Sequence, residues 1–133
     1  MKLQLVVCVI ALVMILAVEA EAKCKQQDLR GRWDVYGFLD SPLDLEGTLN
    51  CVFVLNKSGK FSDGICVARS SSASGGSVNR GRLTIKGNCA VSGEIKNTDS
   101  CRWSGTMTRN KDMISGVYDC GLNEVGLMNM VRR

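Results

Sequence analysis

Beyond residue 30 the apolar residues of this chain come in short runs. Gly, Asn, Ser and Asp punctuate them, and no stretch repeats with the 3.6-residue period of a helix. That pattern predicts many short strands. Eight are expected, over 32–39, 48–55, 60–68, 82–86, 89–95, 101–108, 113–118 and 126–131. "KQQDLR", just before the first, has the length of one helical turn. A weak repeat of apolar-Ser-Gly, "VSG" at 91–93, "WSG" at 103–105 and "ISG" at 114–116, sets a glycine inside three strands, with "FSDG" at 61–64 a looser copy. Glycine within a strand permits the sharp coiling that a small barrel needs. The expected fold is all-β, an eight-stranded antiparallel up-and-down meander β-barrel with three disulfides.

The register follows from two turns. "CRWSGTMTRNKDMISGVYDC" (101–120) begins and ends in cysteine around "RNKD". With Asn110-Lys111 at the tip, opposed residue numbers sum to 221. Cys101 then faces Cys120, Trp103 faces Tyr118, Gly105 faces Gly116 and Met107 faces Ile114. One face is apolar, glycine or cysteine throughout, and a one-residue slip destroys it. Arg109 and Asp112 flank the tip, placed to pair. With Ser58-Gly59 as a second tip the sum is 117, which pairs Cys51 with Cys66. A three-residue turn ending in a Gly59 bulge is the alternative, and it shifts the register by one. Cys24 and Cys89 remain, and both fall at one end of a meander. That end holds three short tips; the other holds the longer connections "DSPLDLEG", "RSSSASGGSVNRG", "KNTDS" and "DCGLNEV". A barrel stapled shut at one end and looped at the other has the shape of a cup.

The first 22 residues change the setting. Lys2, an apolar run from Leu3 to Val18 and the small-x-small Ala20-Glu21-Ala22 read as a secretory signal peptide. An uncleaved anchor is the alternative that the length of the run permits. Lys23 before Cys24 does not suit a lipoprotein site. Cleavage leaves residues 23–133 as a single β-barrel domain, secreted or periplasmic, with no stable membrane anchor. Cys8 leaves with the signal, and an even set of six cysteines fits an oxidising compartment. The chain carries 17 basic and 13 acidic residues. Losing Lys2, Glu19 and Glu21 takes the net charge from +4 to +5. No basic run exceeds two residues, so no nucleic-acid surface is expected. Asn56-Lys57-Ser58 is a glycosylation sequon in a eukaryotic host.

Gly31-Arg32-Trp33, opening the first strand, resembles the G-x-W motif of calycins, the lipocalins, fatty-acid-binding proteins and avidins. "QQDLRGRWDVYGF" is similar to the lipocalin entry, and "VLNKSGKFSDG" to the second hairpin of avidins. The chain also resembles exported bacterial proteins built from G-x-W and "G-x-L…G-x-F-x-G" hairpins. The calycin resemblance implies a basic residue near the chain end, Arg132 or Arg133, packed over Trp33. No second lipocalin motif is present, and no residue of avidin's biotin site carries over.

The chain has no histidine, which removes the commonest general base and metal ligand. There is no C-x-x-C pair for zinc, paired cysteines offer no thiol nucleophile, and no carboxylates are spaced as a glycosidase pair. Neither an enzyme, a cofactor nor a metal is expected. Two functions remain. One is a binding barrel for a small apolar or amphipathic ligand, lined by Trp103, Tyr118, Met107, Phe53, Leu55 and Ile114, with Asp40, Asn97 and Asn123 at the rim. The other is a ligandless structural or protein-interaction scaffold. Interior space separates them: inward Gly64, Gly105 and Gly116 leave room, and the aromatics and methionines take it back.

Overall fold

The computed structural model describes residues 23–40, 47–69, 76–96, 100–121 and 125–133. Its strands are β1 (Gly31–Asp40), β2 (Gly47–Leu55), β3 (Phe61–Arg69), β4 (Gly76–Ser77), β5 (Arg80–Ile85), β6 (Ala90–Lys96), β7 (Ser100–Met107), β8 (Met113–Asp119) and β9 (Val125–Arg132). A 3₁₀ turn, Gln26–Leu29, precedes β1. The expected strands reappear with ends shifted by a residue or two, all antiparallel.

The sheet differs from the expected barrel in one respect. It has nine strands, in the order β4-β3-β2-β1-β9-β8-β7-β6-β5, and is open. It curls into a half-barrel in which the first long strand pairs with the last, from Trp33↔Arg132 to Asp40↔Val125. The break lies between the third and fourth expected strands. Their connection folds back as β4, which takes the edge of β3 at Ile65 and Cys66. β3 then has no free edge there for β5. The two ends of the sheet approach only at the base, through an isolated Lys60↔Arg82 bridge and a bond from Leu83 N–H to Gly59 C=O, 2.9 Å. Gln26 stitches this seam: its amide donates to Ser58 C=O and Leu83 C=O (3.0 and 2.8 Å), and its carbonyl accepts from Ile85 N–H at 3.1 Å.

The register in β7–β8 is as expected, with Trp103↔Tyr118, Gly105↔Gly116 and Met107↔Ile114. The turn between β2 and β3 is a correction. Its loop has three residues, with Asn56 and Lys60 paired across it at 3.0 Å and Gly59 at φ +76°. The register shift this brings is undone between Val54 and Leu55, where a second irregularity restores Cys51↔Cys66. Two one-residue offsets cancel, so the cysteines stay on one face. Gly59 is also fixed by space, since a Cβ there would lie 2.0 Å from Leu83 C=O. At the β7–β8 tip, Asp112 accepts from the Thr108 hydroxyl at 2.6 Å.

All three expected disulfides are present: Cys24–Cys89, Cys51–Cys66 and Cys101–Cys120. Cys24 N–H also bonds Gly87 C=O at 3.2 Å, so the N-terminal segment is tied to the β5–β6 turn twice.

The core fills from the base. Trp33 is fully buried, its indole N–H donating to Leu29 C=O at 2.9 Å. The Arg132 guanidinium lies 4.4 Å from the centre of its ring. Arg132 also donates to three backbone carbonyls, of Lys111 (2.9 Å), Arg30 (2.5 Å) and Asp28. Lys111 in turn pairs with the Asp28 carboxylate at 2.8 Å. One side chain therefore joins the end of β9, the β7–β8 tip, the 3₁₀ turn and the ring of β1.

Arg132→Ala removes a cation–π contact and leaves three carbonyls without their donor. We expect a loss of about 3 kcal/mol, read as a melting temperature lower by more than about 10 °C. Arg132→Lys recovers less than half, because an ammonium cannot fork to three carbonyls. Unchanged melting would contradict the arrangement.

Burial tends to raise the Asp28 carboxyl. The Lys111 ammonium and the Lys25 backbone N–H outweigh it and hold the group below its usual value. A depressed folded value stabilises above the unfolded one and is lost as pH falls through the folded value. The stability gap between wild type and Asp28→Asn, about 1 kcal/mol, is therefore constant above about pH 5 and closes below about pH 4. Urea titrations at stepped pH check this.

Candidate functional site

Inside the curl the side chains form rows set by the strand register. One row runs obliquely across β5 to β9, from Leu83 at the base seam through Gly93 and Trp103 to Tyr118 and Gly126 on the looped side. Trp103 and Tyr118 are buried and are the only large rings of that row. The Tyr118 ring occupies the place a side chain on Gly126 would take, since a Cβ there would lie 2.4 Å from ring carbons, and its hydroxyl donates to Phe38 C=O at 3.0 Å. Towards the rim, Ile95 stands opposite Cys101, and the Cys101–Cys120 bridge closes the row's outer margin.

The two tryptophans differ in one way that matters chemically. Trp33 has its N–H bonded. Trp103 Nε1 is buried and has no hydrogen-bond partner among the described residues. Burying an unpaired donor costs about 1–3 kcal/mol, and such groups are few in folded proteins. Opposite it stand Gly93 and Tyr118, and the Tyr118 hydroxyl is already bonded to Phe38 C=O, so the Trp103 N–H is the polar group of this row without a partner among the described residues.

The expected lining divides between two levels. Trp103 and Tyr118 meet in the upper row. Met107 and Ile114 share a lower row with Met130, Val35 and Cys51. Phe53 lies lower still, opposite Trp33, and packs edge-to-face on Phe61 at 5.1 Å; Leu55 is beside it at the base. These four belong to the packed floor. Asp40 is in β1 opposite Val125, but its side chain, and Asn97 and Asn123 entirely, lie outside the described residues. Ile95 and Met128 join the upper wall. Their signal was alternation: Gly126, Met128 and Met130 all face inward, at every second position of β9.

The expected room at the strand glycines is not there. A Cβ on Gly105 would lie 2.3 Å from Ser115 C=O and 2.8 Å from the Cα of Gly116. The same holds in reverse at Gly116, and a Cβ on Gly93 would lie 2.0 Å from Arg82 C=O. At Gly64 it would meet Val78 C=O at 2.6 Å. The apolar-Ser-Gly repeat marks where neighbouring backbones close on one another, which is how the sheet coils so tightly. Among the described residues no group of acidic, histidine or cysteine side chains is placed to hold a metal ion.

No protein-family model and no curated protein matches this chain. Among solved structures, a de novo designed fluorescence-activating β-barrel is similar in fold. Its TM-score is 0.53 at 15% identity, over 78% of this chain and 93% of that one. The class defined is a small antiparallel β-barrel-like domain, and its disulfides fit an oxidising, extracellular-type environment.

Since Trp103 Nε1 bonds nothing in the described structure, Trp103→Phe is expected to change stability by less than about 1 kcal/mol, the space it opens being offset by removal of the unpaired donor. Tyr118→Phe, which removes the hydroxyl bonded to the Phe38 carbonyl, lowers it by about 1 kcal/mol. Chemical denaturation of both variants checks the contrast.

Proposed function

We propose that this is a calycin-like, secreted or periplasmic binding barrel. It takes a small, largely apolar molecule at the end carrying the longer connections and catalyses no reaction on it. The observation that carries the reading is the unpartnered, buried indole N–H of Trp103 in the upper row. An apolar wall with one fixed donor suits a ligand that is hydrophobic over most of its surface and carries one acceptor, such as a carbonyl or ether oxygen. The opposite end supports the direction of entry: Trp33, Arg132, Gln26 and the Cys24–Cys89 staple fill it. The contact of Arg132 with Trp33 supports the calycin resemblance. The designed barrel of similar fold is, by its description, one that activates fluorescence, which is compatible with a small-molecule role for such a curled sheet. The absence of histidine from the chain supports a non-catalytic role.

A screen of fatty acids, retinoids and small vitamins, read by tryptophan emission and calorimetry, tests the reading. A true ligand binds wild type at micromolar affinity or better, and Trp103→Phe weakens it about tenfold while keeping the fold, the worth of one hydrogen bond. Binding that is equal in both proteins would remove Trp103 from the site. No binding by any candidate would leave the scaffold reading, which the fully buried Trp33, Phe53, Leu55 and Ile114 in the floor favour.

A further inference from the structure

The outside of the sheet is divided into two unlike halves. On β5, β6 and β7 the outward side chains are Arg80, Arg82, Thr84, Ser92, Arg102 and Ser104 among others, and no large apolar residue is exposed there. On β8, β9, β1 and β3 stand the large exposed apolar side chains, among exposed polar positions that include Ser115, Asp119, Asn129, Arg32 and Asp63. Phe38 is 67% exposed, Leu127 61% and Ile65 61%.

Register makes these a single patch. Phe38 on β1 is opposite Leu127 on β9, and Leu127 is opposite Val117 on β8, so three exposed apolar side chains stand abreast across three strands. The next row is Val67, Asn50, Tyr36, Asn129 and Ser115, with Tyr36 and Val67 more than half exposed. The first row continues through Thr48 to Arg69 on β3, so its uncharged part spans β8, β9, β1 and β2, and the second row carries no charge from Val67 to Ser115. Charges stand at the lower border, where Arg133 pairs with Asp34 at 3.0 Å, and at Asp119 at the upper corner.

We propose that this face is where two copies of the chain pack, outer sheet against outer sheet. Two features of the molecule select a second copy. First, the chain carries net positive charge, so copies repel through most of their surface, above all through the arginines of β5 to β7. That repulsion is least where these largely uncharged rows face one another. Second, the size is right. Five strands about 4.8 Å apart and six residues rising about 3.3 Å each give roughly 500 Å² when the bordering row of Ile65, Val52, Asp34, Val131 and Met113 is counted with these two. Projecting side chains raise its accessible area towards the ~800 Å² per partner of a standard stable interface. A contiguous exposed apolar patch of this size is at the upper end of what monomers carry, and such patches mark interaction sites. A two-fold axis near Leu127 sets the Val117–Leu127–Phe38 row of one copy against its equivalent, the self-complementary arrangement of an isologous dimer. The interior row of Trp103 stays on the concave side, so pairing leaves the proposed ligand site free.

Sedimentation velocity on the oxidised protein recovered from secreting cells, from 1 to 200 µM, tests this. Twice the chain mass is expected at the upper concentrations. Leu127→Lys should raise the dimer Kd at least 100-fold, and the milder Val117→Thr about 10-fold. Arg102→Ser, on the opposite half, should leave dimerisation intact or strengthen it. Near-ultraviolet circular dichroism from the buried tryptophans confirms that each variant is folded. A wild type that is monomeric throughout would overturn the proposal, as would an unchanged Kd in both folded Leu127→Lys and Val117→Thr. So would a monomer that binds neutral lipid vesicles through this face.

Discussion

The structure depends on the contact between the two ends of the folded chain. Arg132 is the last residue of β9, and Trp33 is the third residue of β1. Their contact at 4.4 Å fixes the β1–β9 ladder at its base, and that ladder is what turns a linear meander into a curl. The guanidinium has no freedom left once it bonds the carbonyls of Lys111, Arg30 and Asp28. Burying a charge is costly unless its donors are satisfied. Here the carbonyls come from three separate segments, so satisfying the charge requires all three to be in place. The base is thereby made rigid, and the seam beside it, which lacks a full ladder, needs only Gln26 and the Gly59 contact to hold.

That division of labour explains why the two ends differ. The floor contains Trp33, Phe53, Leu55 and Ile114, all fully buried, and a disulfide, and among the described residues it has no buried polar side chain left over. The upper row is as buried but differs in chemistry. It has glycines at Gly93 and Gly126, two rings, and one indole N–H with nothing to bond. The buried donor of Trp103 adds nothing to the stability of the described structure, and that is the physical ground for the binding role proposed.

The sequence was most informative where register could be checked against itself. Cys101 and Cys120, and Cys51 and Cys66, each lie symmetrically about a turn, and the apolar partners between the first pair agree with the same tip. Trp33 with a terminal arginine was legible only through a resemblance, since nothing in local pattern links residues 33 and 132. Other features were hidden for physical reasons. The Gly59 loop and the irregularity at Leu55 cancel, so their net effect on the cysteines is nil and either turn length gives an acceptable pairing. β4 is two residues long in a Ser/Gly-rich stretch, and its pairing with β3 is set by the edge available, not by any propensity of "GS". The strand glycines were read as room because a missing side chain suggests space. In a strongly coiled sheet it indicates that a neighbouring backbone already occupies it.

The central claim is that Trp103 Nε1 is a donor kept for a ligand. The most direct measurement is the pair of indole N–H resonances in a two-dimensional nitrogen–proton spectrum during titration with the best ligand from the screen. The account predicts that the Trp33 signal, held by Leu29, stays where it is, while the Trp103 signal moves downfield and its exchange with solvent slows as the acceptor engages. A ligand that saturates the protein with the Trp103 signal unmoved would contradict it.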